Sequence, residues 1–503
     1  MTITRRSILA AGAGAGVISA VGWNTALAQA GTRTRFGATT VQGKQMLAKY
    51  ARAVGLMMDN TKFPRTDARS WDFQWYTHWI PGPQSPWSAV VQAKQNMLNQ
   101  VFAGKPPNDP NRLLAQAMWD DCQAHGDNTN DPIFFQETYF CVWHRWFLYY
   151  FEEIIRGVLQ DATFTLPYWD YLSGAVKDLS IPPEFRVQNS PLFRSNRNSW
   201  VNAGDRIDKN NPGVLNLNCF NETIYIDSPD GNVGFCPIID QNPHGQVHGL
   251  VGNLTNMGRV PFAAGDPIFW LHHCNIDRLW ESWNRLPGRT NPTWPNRPFP
   301  FADTNGKAVS VLPKNANRVA LLKYQYDKYY VPRRVVPMPA AGPALVAAAA
   351  SKVTRAAAMD EVTLGAERVR VELTPPPSLT AAPSPQTTFA LSAPSRRLYL
   401  VIGGVVAADD DDSTYNVFLD LPEGQSDPST SDPHYVGTLN FFNAAGHEDH
   451  GAAGHKTTFN VTDTVKALQA KSLLTAKPTV TLLRRGDAKG TSPKIRQVYL
   501  IES

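Results

Sequence analysis

The sequence predicts a mainly α domain with long loops, followed by a small antiparallel β-sandwich. Three observations predict it. Up to about residue 335 the chain is dense in aromatics, and segments such as "AVVQAKQNMLNQVF" and "WHRWFLYYFEEIIRGVLQ" place apolar residues at helical spacing. Loops rich in Pro, Asn and Asp lie between them. From about residue 386 the pattern turns short and alternating, as in "RRLYLVIGGVV", "STYNVFLDL", "HYVGTLNFF" and "RQVYLIES", with β-branched and aromatic residues between turn signals. Between the two regions, "PMPAAGPALVAAAASKVTRAAA" and "TPPPSLTAAPSPQ" read as a linker or a loosely draped segment. The expected boundaries are therefore 31–335, 336–385 and 386–503, after an N-terminal segment of residues 1–30.

That N-terminal segment reads "MTITRRSILAAGAGAGVISAVGWNTALAQA". Arg5 and Arg6 precede a weakly apolar Ala/Gly stretch that ends in Ala-x-Ala signals, the layout of an export peptide. "TRRSIL" resembles a twin-arginine signal, whose route carries folded proteins and suits a chain that takes up a cofactor before export to a periplasmic or secreted destination. The n-region of the general secretory route is the alternative.

The 503 residues are 43% apolar and 18% charged, an ordinary globular balance. Fourteen tryptophans and 39 prolines point to a large, irregular, aromatic-rich core. The formal charge of +5 is mild and shows no basic run, which argues against nucleic acid as a partner. No apolar stretch in the body of the chain is long enough to span a bilayer. Of the five cysteines, Cys219 and Cys236 flank a polar loop and can close it as a disulfide, although spacing alone does not fix connectivity.

Histidines carry the chemistry. In "NPHGQVHGLVGN", His244 and His248 are four apart, which on a helix puts both imidazoles on one face. A lone pair of this kind is also a common coincidence. About twenty-five residues later, "DPIFWLHHCNIDRLW" adds His272 and His273, one of which can supply a third nitrogen. Asp277 follows His273 by four residues and can orient it or pair with Arg278. Three imidazoles without thiolate or carboxylate suit copper, zinc or iron. A second set lies upstream: His78 in "SWDFQWYTHWI", His125 in "MWDDCQAHGD" and His144 in "YFCVWHRWFLYYFEE". Two sets of three make a binuclear site conceivable in a helix bundle. A satisfied core histidine remains the alternative for His78.

Taken together, "WHRWFLYYFE", "LPYWDY", "PHGQVH" and "DPIFWLHHCNIDRLW" resemble the type 3 copper family of tyrosinases, catechol oxidases and haemocyanins, in order and spacing over roughly residues 40 to 335. The resemblance implies a four-helix bundle that holds two copper ions, three histidines each, with dioxygen as co-substrate. It assigns His78, His125 and His144 to the first ion and His244, His248 and His273 to the second, with His272 behind the ligands. One departure stands out. Eighteen residues separate His125 from His144, more than the family's usual gap, and the position where strict spacing wants histidine is Phe135. This reads as an insertion after His125, since "CQAH" resembles the family's cysteine-proximal histidine.

The same resemblance bears on mechanism. Cys122, three before His125, sits where some members carry a thioether to that histidine; a free buried thiol is the alternative. Cys141 and Cys274 read as apolar fillers. Asp240 and Gly245 occupy the places of a water-holding glutamate and its asparagine helper, which weakens the expectation of monophenol hydroxylation without removing it. Phe269 resembles the aromatic that stacks near substrate, or is core. Gly249, after His248, leaves the mouth of the site uncrowded. The C-terminal strands resemble the shielding domain of plant polyphenol oxidases, with an aromatic of "HYVGTLNFF" expected to plug the entrance. "KYQYDKYY" resembles the tyrosine motif that closes the catalytic domain. "HEDHGAAGH", with His447, His450 and His455, reads as a solvated loop, or as a transient copper site.

The expected function is copper-dependent oxidation of phenols and o-diphenols to o-quinones by dioxygen, acting on a small phenolic substrate. The alternatives are a haemocyanin-like oxygen carrier, an o-aminophenol oxidase, and a zinc hydrolase that uses one triad and leaves the other unexplained. Oligomeric state is not legible.

Overall fold

The computed structural model describes residues 31–78, 96–124, 139–228, 233–294, 296–332, 352–365, 368–377, 384–393, 396–407, 413–442, 455–485 and 492–503. The expected export peptide, His125, Phe135, His447 and His450 lie outside them, as does the Cys122–His125 link.

Three long helices build the first domain: α1 (Val41–Met57), α4 (Phe140–Leu159) and α7 (Ile268–Asn284). Both α1 and α7 pack on α4. Shorter helices α2 (Trp71–Tyr76), α3 (Pro110–Ala124), α5 (Phe235–Ile239) and α6 (Gln246–Val251) complete the frame. Sequence sets the ends. Thr40 caps α1 by accepting from the Gly43 amide at 2.9 Å, and Gln160 ends α4 in the left-handed region at φ 52°. Helix α7 is buried from Ile268 to Trp283, so it carries apolar residues on every face. Its Trp270 stacks on Phe151 of α4.

A buried ion network ties these helices to both ends of the domain. The Asp277 carboxylate on α7 accepts from Arg145 Nε on α4 and from the hydroxyls of Tyr324 (2.6 Å) and Tyr326 (2.5 Å), with Arg35 at 3.3 Å. Tyr324 and Tyr326 belong to β4 (Tyr324–Tyr326), which pairs in parallel with β1 (Arg33–Arg35). The tyrosine motif therefore closes the domain through Asp277. This corrects the expected role of Asp277: its carboxylate turns toward α4 and β4 and binds neither a histidine nor Arg278. Arg278 pairs instead with Asp170 at 2.8 Å. A buried carboxylate is stable there because two guanidinium groups and two hydroxyls surround it.

Strands β2 (Phe299–Ala302) and β3 (Ala308–Val311) form a hairpin beside α3 and α4. The second domain is a sandwich of two four-stranded antiparallel sheets, ordered β10-β9-β12-β7 and β11-β8-β14-β5. Its strands include β5 (Val353–Ala358), β7 (Val369–Glu372), β8 (Leu398–Val405), β9 (Thr414–Leu419), β10 (Tyr435–Asn440), β11 (His455–Asn460), β12 (Thr479–Arg485) and β14 (Gln497–Glu502). It has its own apolar core, centred on residues such as Leu400, Val417, Leu482 and Leu500. The expected linker is shorter than its composition suggests. Strands β5 and β7 fall inside 336–385 and pair with β14 and β12, so the sandwich begins near residue 352. The small side chains of "TRAAA" hide the strand because alanine is a weak strand signal.

Candidate metal centre

Five segments deliver histidines to one buried place. His78 follows α2, His144 lies in the first turns of α4, and His273 lies in α7. His244 sits in the π-helical turn Asp240–Gly245, and His248 follows it in α6. The π-turn contains Pro243, which withholds a backbone donor, and Asn242 departs from helical angles, so the chain kinks just before His244. All five imidazoles are buried.

Their Nε2 atoms face one another. His244 and His248 approach to 3.1 Å, His248 and His273 to 3.3 Å, and His78 and His144 to 3.3 Å. The His144 and His273 rings stack at 4.4 Å and bring the two sets into contact. The other ring nitrogen is anchored in four of them. His78 Nδ1 meets the Val260 carbonyl (3.1 Å), His144 Nδ1 that of Phe140 (2.8 Å), His248 Nδ1 that of Met257 (2.8 Å) and His244 Nδ1 that of Asp240 (3.1 Å). A carbonyl only accepts, so each of these Nδ1 atoms carries the proton and each Nε2 presents a lone pair.

This arrangement is a test of fit. Burial, reinforced by the neighbouring imidazoles, pushes His248 and His273 well below the ordinary histidine range, so they are neutral at pH 7. Neutral imidazoles with lone pairs face to face near 3.2 Å repel one another, and a cation between them removes that repulsion. An all-nitrogen, buried donor set fits copper well. His244, His248, His272 and His273 offer ligand atoms that all lie within 4.8 Å of one another. Within the adjacent pair, His273 points Nε2 at His248, whereas His272 engages the Tyr171 hydroxyl through Nδ1 at 3.0 Å and stacks on His244.

The remaining candidates divide. Phe269 is fully buried, with its ring 4.0 Å from His273 and 4.8 Å from His78. It stands against both sets of histidines rather than in the mouth. The Asp240 carboxylate lies 2.7 Å from His244 Nδ1, beside the Asp240 carbonyl that holds the same nitrogen. A Cβ built on Gly249 meets nothing within 4 Å, whereas one on Gly245 meets the Asn440 amide at 3.0 Å. No disulfide joins Cys219 to Cys236, which corrects the expected pairing. The turn into α5 aims Cys236 at the Tyr225 hydroxyl (3.3 Å) rather than at Cys219.

One contributor comes from the other domain. Phe442, just beyond β10, stacks on His248 at 4.1 Å and 17° and meets His244 edge-on at 5.6 Å. Its backbone amide donates to Asn440 Oδ1 (3.2 Å), and Gln246 of α6 donates to the Thr438 carbonyl (2.8 Å). The sequence singles out the segment "HYVGTLNFF" but not which of its rings meets the histidines. The carbonyls of Met257 and Val260 leave no sequence signal, because any residue supplies one.

Comparison with known proteins agrees with this geometry. The model of the common central domain of tyrosinase matches residues 68–235 and 217–286, and a domain family of unknown function matches 348–496. Tyrosinase HcTyr1 of Hahella sp. (strain CCB-MM4) is 33% identical over 312 residues, 56% of this chain and 60% of that protein. Chloroplastic polyphenol oxidase A1 of Vicia faba is 29% identical over 288 residues, 49% of this chain and 47% of that one. The chain thus spans about half to three-fifths of the length of these relatives. Among solved structures, latent apple tyrosinase aligns at TM-score 0.56 and 21% identity over 94% of this chain and 98% of its own. A latent aurone synthase, a polyphenol oxidase, aligns at TM-score 0.57 and 21% identity, over 93% and 89%. At that identity these two share the fold.

Proposed function

We propose, from the premise that this chain belongs to the type 3 copper family of tyrosinases and polyphenol oxidases, that it oxidises o-diphenols to o-quinones with dioxygen. The observation that carries the reading is the face-to-face set of buried Nε2 atoms of His78, His144, His244, His248 and His273. His78, His125 and His144 would hold one copper and His244, His248 and His273 the other. Bound copper supplies the two-electron chemistry: two catechols and one dioxygen give two quinones and two waters. The protein's part is to fix the ligand rings through the Nδ1 anchors, to exclude water with Phe140, Phe147 and Phe269, and to orient His244 through Asp240. With Asp240 engaged on His244, diphenol oxidation outpaces monophenol hydroxylation. The test is oxygen uptake by the copper-loaded protein after limited proteolysis. Expected is rapid uptake with 4-methylcatechol and slow or no uptake with 4-methylphenol. Equal rates would overturn the diphenol preference, and uptake with neither would overturn the oxidase reading. We further read residues 1–30 as a twin-arginine export peptide, which places the enzyme outside the cytoplasm.

The sandwich acts as a shield, and its docking depends on pH. Glu222 of the helical domain accepts from Tyr399 (2.9 Å) and Asn460 (3.3 Å) and pairs with Arg397 (3.1 Å), all three from the sandwich. Nearby, Asp227 pairs with Lys456 across the same joint. Burial pushes the Glu222 carboxyl up to about 7, more than Arg397 pulls it down. The sign follows. A carboxyl whose pKa is raised in the docked state binds a proton more tightly there, so docking is strongest in acid and weakens as pH rises toward 7. The full-length protein is therefore expected to grow more active, relative to its proteolysed form, between about pH 5 and 7. Glu222→Gln flattens that ratio. An unchanged pH dependence in the variant removes Glu222 from this role.

A further inference from the structure

His272 breaks the pattern of its neighbours. In His78, His144, His244 and His248, Nδ1 meets a backbone carbonyl and must carry the proton, which leaves a lone pair on Nε2. His272 Nδ1 meets a hydroxyl instead, that of Tyr171. A hydroxyl donates or accepts, so its other surroundings decide where the His272 proton sits.

They decide it through a chain that starts at an arginine. His272, Asn275 and Arg278 follow one another at three-residue steps along α7, each beside the last. Arg278 only donates. Its Nε reaches Asn275 Oδ1 at 2.9 Å, and its Nη2 pairs with Asp170, the chain neighbour of Tyr171. The oxygen of the Asn275 amide is thereby held toward Arg278, and its Nδ2 end is the donor that favours negative charge on the Tyr171 oxygen. Burial outweighs that pull and pushes the Tyr171 hydroxyl far above the ordinary tyrosine range, so it keeps its proton. Among the described residues, His272 Nδ1 is the acceptor that this hydroxyl meets. Nδ1 therefore accepts, and the proton of a neutral His272 sits on Nε2.

A ring nitrogen that carries a proton cannot bind a metal ion. His272 is close enough to matter: it lies parallel to the His244 ring at 5.4 Å, and its ligand atom is within 4.8 Å of those of His244, His248 and His273. We propose that Tyr171 is a positioning residue that holds His272 in the Nε2–H form, so that this fourth imidazole braces His244 as a donor and stays out of the second copper's coordination. This rests on the copper reading above.

The first measurement needs no copper. In the metal-free full-length protein with isotopically labelled histidine, long-range proton–nitrogen correlation shows which ring nitrogen carries each proton, and the His272 signal is the one missing from His272→Gln. Expected is a proton on Nε2 for His272, against Nδ1 for His78, His144, His244 and His248, with the fixed tautomer lost in Tyr171→Phe. A His272 proton on Nδ1 in the wild type, or an unchanged tautomer in Tyr171→Phe, would overturn the proposal. The second measurement follows copper loss to a chelator. Glutamine carries an acceptor and a donor spaced like the two ring nitrogens. His272→Gln is expected to hold the second copper within about threefold of the wild type, whereas His272→Leu and Tyr171→Phe release it roughly ten- to a hundredfold faster. Equal loss in His272→Gln and His272→Leu would make the ring a ligand, and full retention in His272→Leu would make it packing; either result overturns the proposal. If the wild type binds no copper, the copper reading fails instead, and the spectrum of the metal-free protein still decides the tautomer.

Discussion

Replacing His248 by asparagine is expected to lower bound copper from two ions per chain toward one and to cut catechol turnover by roughly a hundred- to a thousandfold. The reasoning starts from position. His248 Nε2 is the hub of its set, 3.1 Å from His244 and 3.3 Å from His273, and its Nδ1 is fixed by the Met257 carbonyl. Asparagine roughly preserves the volume but brings a weaker donor on a shorter arm. The remaining two imidazoles cannot close a three-coordinate site on the same ion. Folding should suffer little in the metal-free state, because removing one lone pair from a crowded group relieves repulsion. Copper analysis and thermal melting of the metal-free protein separate the two effects. Full copper content in His248→Asn would remove it from the ligand set, and a large fall in melting temperature would make it structural.

Phe442→Ala in the full-length protein is expected to raise kcat/KM for 4-methylcatechol by roughly ten- to a hundredfold, toward the value of the proteolysed form. The ring is 8% exposed and packs with the helical domain's core rather than the sandwich's own. Burying a phenylalanine and stacking it on an aromatic stabilises the covered state by roughly 2–4 kcal/mol, most of which the alanine loses. The other interdomain bonds, from Gln246 to Thr438 and from Glu222 to Arg397, stay intact, so the sandwich stays docked while the plug is gone. Activation with an unchanged hydrodynamic radius supports a plug. No activation in Phe442→Ala, while proteolysis still activates, would place the block elsewhere in the sandwich.

Much of this was legible because the chemistry leaves local marks. The spacing of His244 and His248 encodes a shared helical face, and "DPIFWLHHCNIDRLW" reads as a helix buried on all sides, which α7 is. The alternation after residue 386 likewise names the sandwich strands. What stayed hidden depends on tertiary approach. Asp277 is four residues from His273, yet its partners Arg145, Tyr324 and Tyr326 are distant in sequence, so spacing pointed to the wrong neighbour. Cys219 and Cys236 flank one loop, but Cys236 meets the Tyr225 hydroxyl and no disulfide joins the two. Strand β5 looked like linker because alanine-rich edges pack well without a strong pattern. Tyr171 lies in "LPYWDY", but only the fold brings its hydroxyl to His272.

The most direct test of a copper pair held by two histidine sets is to titrate copper into the metal-free, proteolysed protein and follow oxygen uptake with 4-methylcatechol at each addition. The account expects the rate to lag at low copper and to reach its plateau at two ions per chain. A plateau at one ion, or equal turnover with zinc, would contradict it.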